Sequence, residues 1–500
     1  METAQIALNP NELVQFLKKE PADFTKEDIL RFCEAKQIEM VNFRYVGEDG
    51  TLKLLNFVLS SKKHLDNLLS HGERVDGSSI FSFIGAGSSD LYVMPKYRSA
   101  FLNPFTDVPT LEFICSYYDH EGKPLSSAPD NILKKANEKF TEKTGAIFKA
   151  LGELEYYIVG DVDELFPGRD QKGYHTAAPF TKYEDLRAEA MVMLAKAGAQ
   201  IKYGHSEVGC FTQNGKYYEQ QEIEFLPMPV EQAVEQIMIA KWILRILAHR
   251  RGLNISYAPK ITVGKAGSGM HFHMLAEKNG KNLLVENGKL SDMARQMIAG
   301  ILDMADAITA FGNTIPTSYL RLVPHQEAPT YICWGDRNRS VVIRVPLGWS
   351  GVPDMINDAN PMAGFKNVEI EKQTYEYRVP DGSCEPYLTV AALIIGSLHG
   401  LNLPDALARA ERLYAPGNIF NEEYKAFLDG LDQLPASCYE SAERLEKKRA
   451  LFEESGIFPA GMIDNCIARL KAFDDKDLSE RLYGNNEAIA ELVAKHFDVA

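Results

Sequence analysis

The stretch GELEYYIV, residues 152–159, places carboxylates at Glu153 and Glu155 and then runs into Tyr156, Tyr157, Ile158 and Val159. Alternate side chains of an extended backbone share a face, so the segment reads as a buried strand that is acidic at its start. Four further segments repeat this two-residue spacing of charged or metal-capable groups: Glu222/Glu224, His271/His273, Arg337/Arg339 and Glu376/Arg378. One such pair alone would be the solvated face of an amphipathic strand. Five of them, mostly among β-branched or aromatic residues, would bring carboxylates, imidazoles and guanidiniums from different strands onto one wall or barrel interior. Buried carboxylates need cations, and such a wall suits metals and phosphates.

Outward from that stretch, 500 residues are too many for one simple core and imply two or more domains. A net charge of −15 with no long basic block excludes a nucleic-acid-binding surface. Seven cysteines, at 33, 115, 210, 333, 384, 438 and 466, have no CxxC spacing and fit a reduced, cytoplasmic compartment. No leader-like N-terminus and no run of about 18 apolar residues is found, so a membrane is not an expected partner. Two short helices are predicted at 10–19 and 26–36, with Asn9 and Thr25 as N-caps and Pro10 in the first turn. Strand-like runs at 39–46 and 51–59, joined through GEDG (47–50), and at 91–94 and 111–118 make 38–126 a small strand-rich domain. Past a Pro- and Ser-containing boundary at 124–129, strands alternate with amphipathic helices at 131–144, 183–197, 230–251 and 291–311, and 421–500 is helical and charged.

AGSGMHFH (266–273) is a glycine-rich turn leading into a strand with two histidines. Glycines let backbone approach a ligand closely, and imidazole nitrogens ligate a divalent metal or bond a phosphate. The segment fits neither the phosphate-cradling GxxxxGK[ST] loop nor the dinucleotide GxGxxG fingerprint. Arg337, Arg339 and Arg344 set three forked donors near one another, suited to phosphate or carboxylate charge. Arg321 and Glu327 flank the loop VPHQ (323–326). The alternative for these groups is a surface salt-bridge set.

Taken in order, VDGSSI (75–80), DLYVMP (90–95), GELEYYI (152–158), HSEV (205–208), EQQEI (219–223), APK (258–260), GSGMHFH (267–273), SYLRLVPHQEAP (318–329), DRNRSVVIRVP (336–346) and YEYRVPDGSCEPYL (375–388) resemble the type I glutamine synthetases. Any one is weak; the set, running from 38 to 400, is specific. The resemblance implies an α+β chain. A helical extension (1–37) would precede a β-grasp domain (38–126), followed by a catalytic domain (127–420, with a helical C-terminal region at 421–500) built on a curved antiparallel half-barrel sheet flanked by helices. It implies two divalent ions, Mg²⁺ or Mn²⁺, per site, one on Glu155, Glu207 and Glu222 and the other on Glu153, His271 and Glu376. Oxygen donors with a single imidazole suit those metals. Arg321 and Arg378 would hold the carboxylates of glutamate, with the Gly267 backbone near its amino group, and His273, Arg339 and Arg344 would face the phosphates of ATP. Asp76, as the base, would form the ammonium pocket with Ser79, Glu207, Glu327 and Tyr174, and Glu327 would ride on a flap over γ-glutamyl phosphate. Catalytic roles would thus fall to Asp76, Glu327, Arg339 and Arg378. The implied reaction joins ammonium to the γ-carboxylate of glutamate in two steps with ATP. The implied assembly is a homododecamer of two hexameric rings, with sites shared between neighbouring subunits.

Several features depart from that pattern. Ala266 stands where an Asn usually precedes Gly-Ser-Gly. Gln373 and Thr374 replace an arginine pair, with Lys372 as a substitute, and Ser206 replaces a second His before Glu207. The stretch 209–219 is longer than usual between two expected ligands, and the tyrosine-bearing loop of adenylylation control is not recognised in the tail. Three readings follow. Glutamate–ammonia ligation is favoured because Asp76, Ser79 and Glu327 persist; ligation of glutamate to an organic amine has Ala266 as its hint. A non-catalytic regulatory homologue is opposed by the six metal positions, since unpaired buried carboxylates are costly.

Overall fold

The computed structural model describes residues 8–85, 87, 89–323, 328–348, 355–361, 372–482 and 484–499. Helix α1 (Glu12–Leu17) is shorter than its spacing suggests. Asn11 is its cap, accepting from Leu13 N and Val14 N, while Asn9 accepts from Asn11 N and Pro10 lies outside the helix. Helix α2 (Lys26–Lys36) begins as expected at Thr25, through a reciprocal capping box with Asp28.

Strand β1 (Met40–Val46) pairs antiparallel with β2 (Leu52–Val58). After helix α3 (Lys62–His71) come β3 (Glu73–Asp76), β4 (Asp90–Pro95) and β5 (Thr110–Tyr118), and the sheet order is β2-β1-β5-β4-β3, with β1 and β5 parallel. This is the small β-grasp sheet. Leu13, Val14, Ile29 and Phe32 of the first two helices pack in the same hydrophobic cluster as Val41, Phe43 and Phe113 of the sheet.

Helix α4 (Pro129–Thr144) starts two residues before the predicted 131, because Pro129 suits a first turn. Its Asn131 donates to the carbonyls of Tyr117 and Leu125 and fastens the helix to β5. The second sheet is the curved half-barrel. It is built from β6 (Ile147–Asp161), β7 (Ile201–Gln213), β8 (Lys216–Phe225), β9 (Met270–Lys278), β10 (Trp334–Asp336), β11 (Ile343–Val345) and β12 (Tyr375–Tyr377), in the order β10-β11-β12-β9-β6-β8-β7. All neighbours on that path are antiparallel except β10 and β11.

The two-residue period of the strands splits this sheet into two faces. Leu154, Tyr156, Phe272 and Tyr375 join the large hydrophobic cluster with helices α5 (Glu184–Lys196), α6 (Val230–Arg250), α7 (Asp292–Gly312) and α8 (Pro386–Asn402). The alternate residues Glu153, Glu155, His271 and His273 turn to a cavity on the other face. Helices α9 (Cys438–Glu453) and α10 (Ala460–Lys471) add Leu445 and Ile463 to the cluster. Helices α7 and α8 cross at glycines: a Cβ on Gly400 would stand 1.9 Å from the Gln296 carbonyl oxygen.

Helix α6 carries the contact between the two sheets. Its buried Glu235 accepts from Lys96 Nζ at 2.9 Å and from Arg98 at 2.5 and 2.8 Å, both residues following β4. Its Trp242 ring lies 3.9 Å from the Arg44 guanidinium of β1, whose Nε donates to fully buried Glu112 at 2.6 Å. Among the described residues no single helix is long and apolar enough to cross a membrane.

Candidate active site

The register of the large sheet assembles the acidic cluster. His205 of β7 lies opposite Glu222 of β8, and Glu222 lies opposite Glu155 of β6. Glu224 of β8 lies opposite Glu153 of β6, Glu153 opposite His271 of β9, and His273 of β9 opposite Glu376 of β12. Like charges directly opposed destabilise a sheet, so the Glu222/Glu155 and Glu224/Glu153 rows call for cations between them.

The long stretch 209–219 does not disturb this register. The pairing of β7 with β8 shifts between Ser206 and Cys210, a bulge that takes up extra residues beside Glu207. Gly209 is required there, since a Cβ would meet the Tyr157 hydroxyl at 1.9 Å. The turn at Asn214 and Gly215, both at positive φ, then folds β8 back. Ser206 is fully buried on the other face, where its hydroxyl lies 2.8 Å from the carbonyls of Gly173 and Thr176 and pins the loop that carries Tyr174.

Glu153, Glu155, His205, Glu207, Glu222, Glu224, His271 and His273 line a cavity of ≈ 1570 Å³ together with Tyr174, Gly267, Arg321, Arg339, Arg344 and Arg378. His271 Nδ1 is 2.9 Å from Glu153, 3.6 Å from Glu376 and 3.9 Å from Glu155. His273 bridges Glu153 (2.8 Å from Nε2) and the Thr374 hydroxyl (2.9 Å from Nδ1). Arg344 donates to Glu376 at 2.9 Å, and Arg378 donates to its other oxygen. Among the described residues the Nε–H groups of Arg344 and Arg378 are buried without a hydrogen-bond partner, donors left over for an anion. Arg321 donates to the Val379 carbonyl at 2.8 Å and reaches His271 Nε2 at 3.3 Å. That approach depends on Gly269, where a Cβ would stand 2.5 Å from His271 Nε2 and 2.7 Å from Arg321 Nη2. Arg339 hydrogen-bonds Tyr174.

Arg337 and Arg339 do not form a strand pair. They lie in the turn between β10 and β11, Arg337 at φ +56°, and both reach the cavity through that turn rather than by pleat alternation. Arg378 follows the last residue of β12.

Burial and crowding push these carboxyls apart. Burial, then the charge of Glu207, raises Glu155 to about 8. Burial and the charges of Glu153, Glu155 and Glu207 raise Glu222 well above the usual range. Burial also works to raise Glu153, but His273 and His271 overcome it and hold that carboxyl well below. The donors form groups whose ligand atoms lie within 4.8 Å of one another: Glu153, His271 and Glu376 in one, His205, Glu207 and Glu222 in another. Carboxylate-rich sets with one imidazole fit hard or borderline divalent cations, and the opposed glutamates are a standing reason for them.

Asp76 and Ser79 stand apart from this cavity, exposed on the small domain. The Asp76 carboxylate accepts from Ser78 N (3.0 Å), Ser78 Oγ (2.7 Å) and Ser79 Oγ (2.7 Å), and the two hydroxyls hold it below its ordinary range. Glu327 lies outside the described residues. Ala266 is buried and does not line the cavity; its N–H donates to Gln171 and its carbonyl accepts from Tyr157. Gln373 donates to the carbonyls of Pro346 and Thr374, so it braces the β11 to β12 connection, whereas Lys372 and Thr374 line the cavity. The sequence reading did not single out His205, although its spacing from Glu207 is the same two residues. It also missed Gln220, which donates to Glu155, the Gly267 carbonyl and Ser268 Oγ and ties β8 to the glycine turn.

Residues 126–482 match the glutamine synthetase catalytic-domain family, and 37–120 match the glutamine synthetase β-grasp domain family. The chain is 31% identical over 437 residues to the glutamine synthetase of Clostridium saccharobutylicum, covering 85% of this chain and 90% of that relative. It is 28% identical over 477 residues to 3-hydroxylaminophenol mutase of Cupriavidus pinatubonensis, covering 88% and 94%. The cryo-EM structure of Plasmodium falciparum glutamine synthetase has the same fold, with a TM-score of 0.73 at 20% sequence identity over 92% of this chain and 99% of that one.

Proposed function

The chain belongs to the glutamine synthetase family, and from that premise we propose that it ligates ammonia to the γ-carboxylate of L-glutamate at the expense of ATP. The observation that carries this reading is one cavity in which the opposed glutamates of β6 and β8, with Glu207 of β7, meet Arg321, Arg337, Arg339, Arg344 and Arg378. Divalent Mg²⁺ or Mn²⁺, held by Glu153, His271 and Glu376 and by Glu155, Glu207 and Glu222, would neutralise phosphate charge. The γ-carboxylate oxygen attacks the γ-phosphorus of ATP, ADP leaves, and ammonia then displaces phosphate from γ-glutamyl phosphate.

In this chain Arg321 and Arg378 border the glycine turn and would orient the carboxylates of glutamate. Arg339 and Arg344, both lining the cavity, would receive the phosphoryl charge. His273 lines the cavity with its ring nitrogens engaged by Glu153 and Thr374, and would face the phosphates of ATP. Asp76 stays a carboxylate at neutral pH and can take the proton that ammonium must lose. Asp76 does not line its own chain's cavity, which supports a site completed by a neighbouring subunit, as in the dodecamer that the family resemblance implies. Glu327, outside the described residues, would by the family resemblance help close over the intermediate, and seven free thiols support a cytoplasmic setting.

The organic-amine reading keeps Ala266 as its sequence hint, although the Ala266 side chain does not line the cavity that Gly267 beside it does. It also draws on the Tyr174 ring, which lines the cavity and suits an alkylammonium. The deciding experiment is phosphate release from ATP with glutamate and Mg²⁺ or Mn²⁺, comparing ammonium with a panel of primary amines and a no-acceptor control. Release with ammonium and formation of glutamine supports the proposal. Release with amines alone moves the protein to γ-glutamyl-amine ligation, and no release under any condition favours the non-catalytic homologue.

A further inference from the structure

Each half of the acidic cluster contains an imidazole, and the second one has no role in the reaction as derived above. We propose that His205 is a direct metal ligand, completing with Glu207 and Glu222 a mixed nitrogen–oxygen site, so that this chain presents one histidine to each of its two divalent ions and favours Mn²⁺, Co²⁺ or Zn²⁺ over Mg²⁺. The inference rests on the metal-dependent reading and names the metal class for it.

Three observations carry it. Cross-strand pairing sets His205 directly opposite Glu222, with Nε2 3.4 Å from Glu222 Oε2, and the Glu207 carboxylate closes the group within 4.8 Å. The other ring nitrogen, Nδ1, is 3.1 Å from the Ser206 carbonyl oxygen. A carbonyl only accepts, so the proton sits on Nδ1 and Nε2 turns a lone pair toward a carboxylate oxygen. Two acceptors facing each other need a proton or a metal ion between them, and a metal-bound histidine is held in this way, with its remote N–H on a backbone carbonyl. Finally, the ring is fixed before any ion arrives. His175 lies 4.2 Å from it and Tyr174 5.4 Å, on the loop that Ser206 Oγ pins.

The neighbouring group of Glu153, Glu224 and His273 shows the contrast. There Lys202 Nζ already sits 2.5 Å from Glu224 Oε1, and both His273 nitrogens are engaged. A resident ammonium occupies that group, and none is present between His205 and Glu222 among the described residues.

Imidazole strengthens binding of Mn²⁺, Co²⁺ and Zn²⁺ far more than of Mg²⁺, which prefers oxygen. The test uses the full chain, stripped with a chelator and titrated without nucleotide by calorimetry with Mn²⁺, Zn²⁺ or Mg²⁺. His205→Asn should weaken Zn²⁺ and Mn²⁺ at one of two positions by about 10- to 100-fold and change Mg²⁺ by less than about threefold. Pulsed EPR of Mn²⁺ on His271→Asn provides the second arm, since a histidine nitrogen coupling should persist and vanish in His205→Asn/His271→Asn. An unchanged Zn²⁺ isotherm in a folded His205→Asn, an equal loss for Mg²⁺, or no nitrogen coupling in His271→Asn would overturn the inference, because a shared proton would then suffice between Nε2 and Glu222. Those results with ammonium-dependent phosphate release intact would leave the ligase reading standing. A wild-type chain that binds no divalent ion would overturn both.

Discussion

Replacing Glu235 by Gln should cost the fold about 3 kcal/mol at neutral pH. The carboxylate sits on α6 with 7% of its side chain exposed and is the shared acceptor for Lys96 and Arg98 of the small domain. Burial alone would raise its pKa, yet the two cations bring it down to about 2 from an ordinary 4.5. At 1.36 kcal/mol per pKa unit, that depression is worth about 3 kcal/mol of folding free energy. It agrees with the 3–5 kcal/mol typical of breaking a buried pair from one side. Asp130, 3.7 Å from Lys96, and Glu231, 3.1 Å from Arg98, remain to hold the cations and keep the loss near the lower end. Because the folded pKa is the lower one, the stabilisation is full above the unfolded value of about 4.5 and is lost as pH falls toward 2. The gap between wild type and Glu235→Gln should therefore shrink from about 3 kcal/mol at pH 7 to about 1 kcal/mol at pH 3. Urea unfolding followed by tryptophan fluorescence measures it, since Trp242 lies on the same helix against Arg44. A loss below about 1 kcal/mol at pH 7, or one that does not change with pH, would refute the argument that charge pairing across this interface does the stabilising.

Gly400→Ala forces a Cβ to within 1.9 Å of the Gln296 carbonyl oxygen and should push α8 off α7. A loss of about 1–3 kcal/mol is expected, read as a lowered melting temperature without any change in metal affinity. Gly269→Ala drives a methyl into His271 and Arg321, and is expected to lower turnover by at least about tenfold while leaving the melting temperature near wild type. Thr374→Val removes the hydroxyl that orients His273; KM for ATP should rise several-fold with glutamate KM unchanged. Asp76→Ala should slow amide formation more than phosphoryl transfer, and mixing its subunits with those of a Glu153→Gln variant should restore part of the activity if the pocket is shared between chains. No recovery after dissociation and reassembly would confine the site to one chain.

The two-residue spacing in 152–159 carried most of what was legible, because a strand buried on both faces must send alternate side chains to different environments. In β6 the division is clean, with Leu154 and Tyr156 on the helices and Glu153 and Glu155 on the cavity. The same spacing misled at Arg337 and Arg339, where the left-handed conformation at Arg337 makes a turn and not a strand. A pair of like charges two apart carries no mark of the backbone between them; only pairing partners do, and those lie far away in sequence. Capping was legible to within two residues: Thr25 with Asp28 is a complete local signal, while Asn9 and Asn11 both offer an acceptor and only the fold selects the second.

His205 makes the same point from the other side. Its relation to Glu207 was open to a spacing argument, but its relation to Glu222 depends on a bulge and a hairpin that together determine which residue of β8 it meets. A slip of one residue would exchange Glu222 for Gln221, turning the carboxylate to the opposite face and leaving an amide in front of the imidazole. Gly209 permits the bulge that sets this register, because a Cβ there would stand 1.9 Å from the Tyr157 hydroxyl. The chemistry of this half of the cluster therefore depends on a glycine that bears no functional group and on a tyrosine two strands away in the sheet. That is why the motif residues alone underdetermine it.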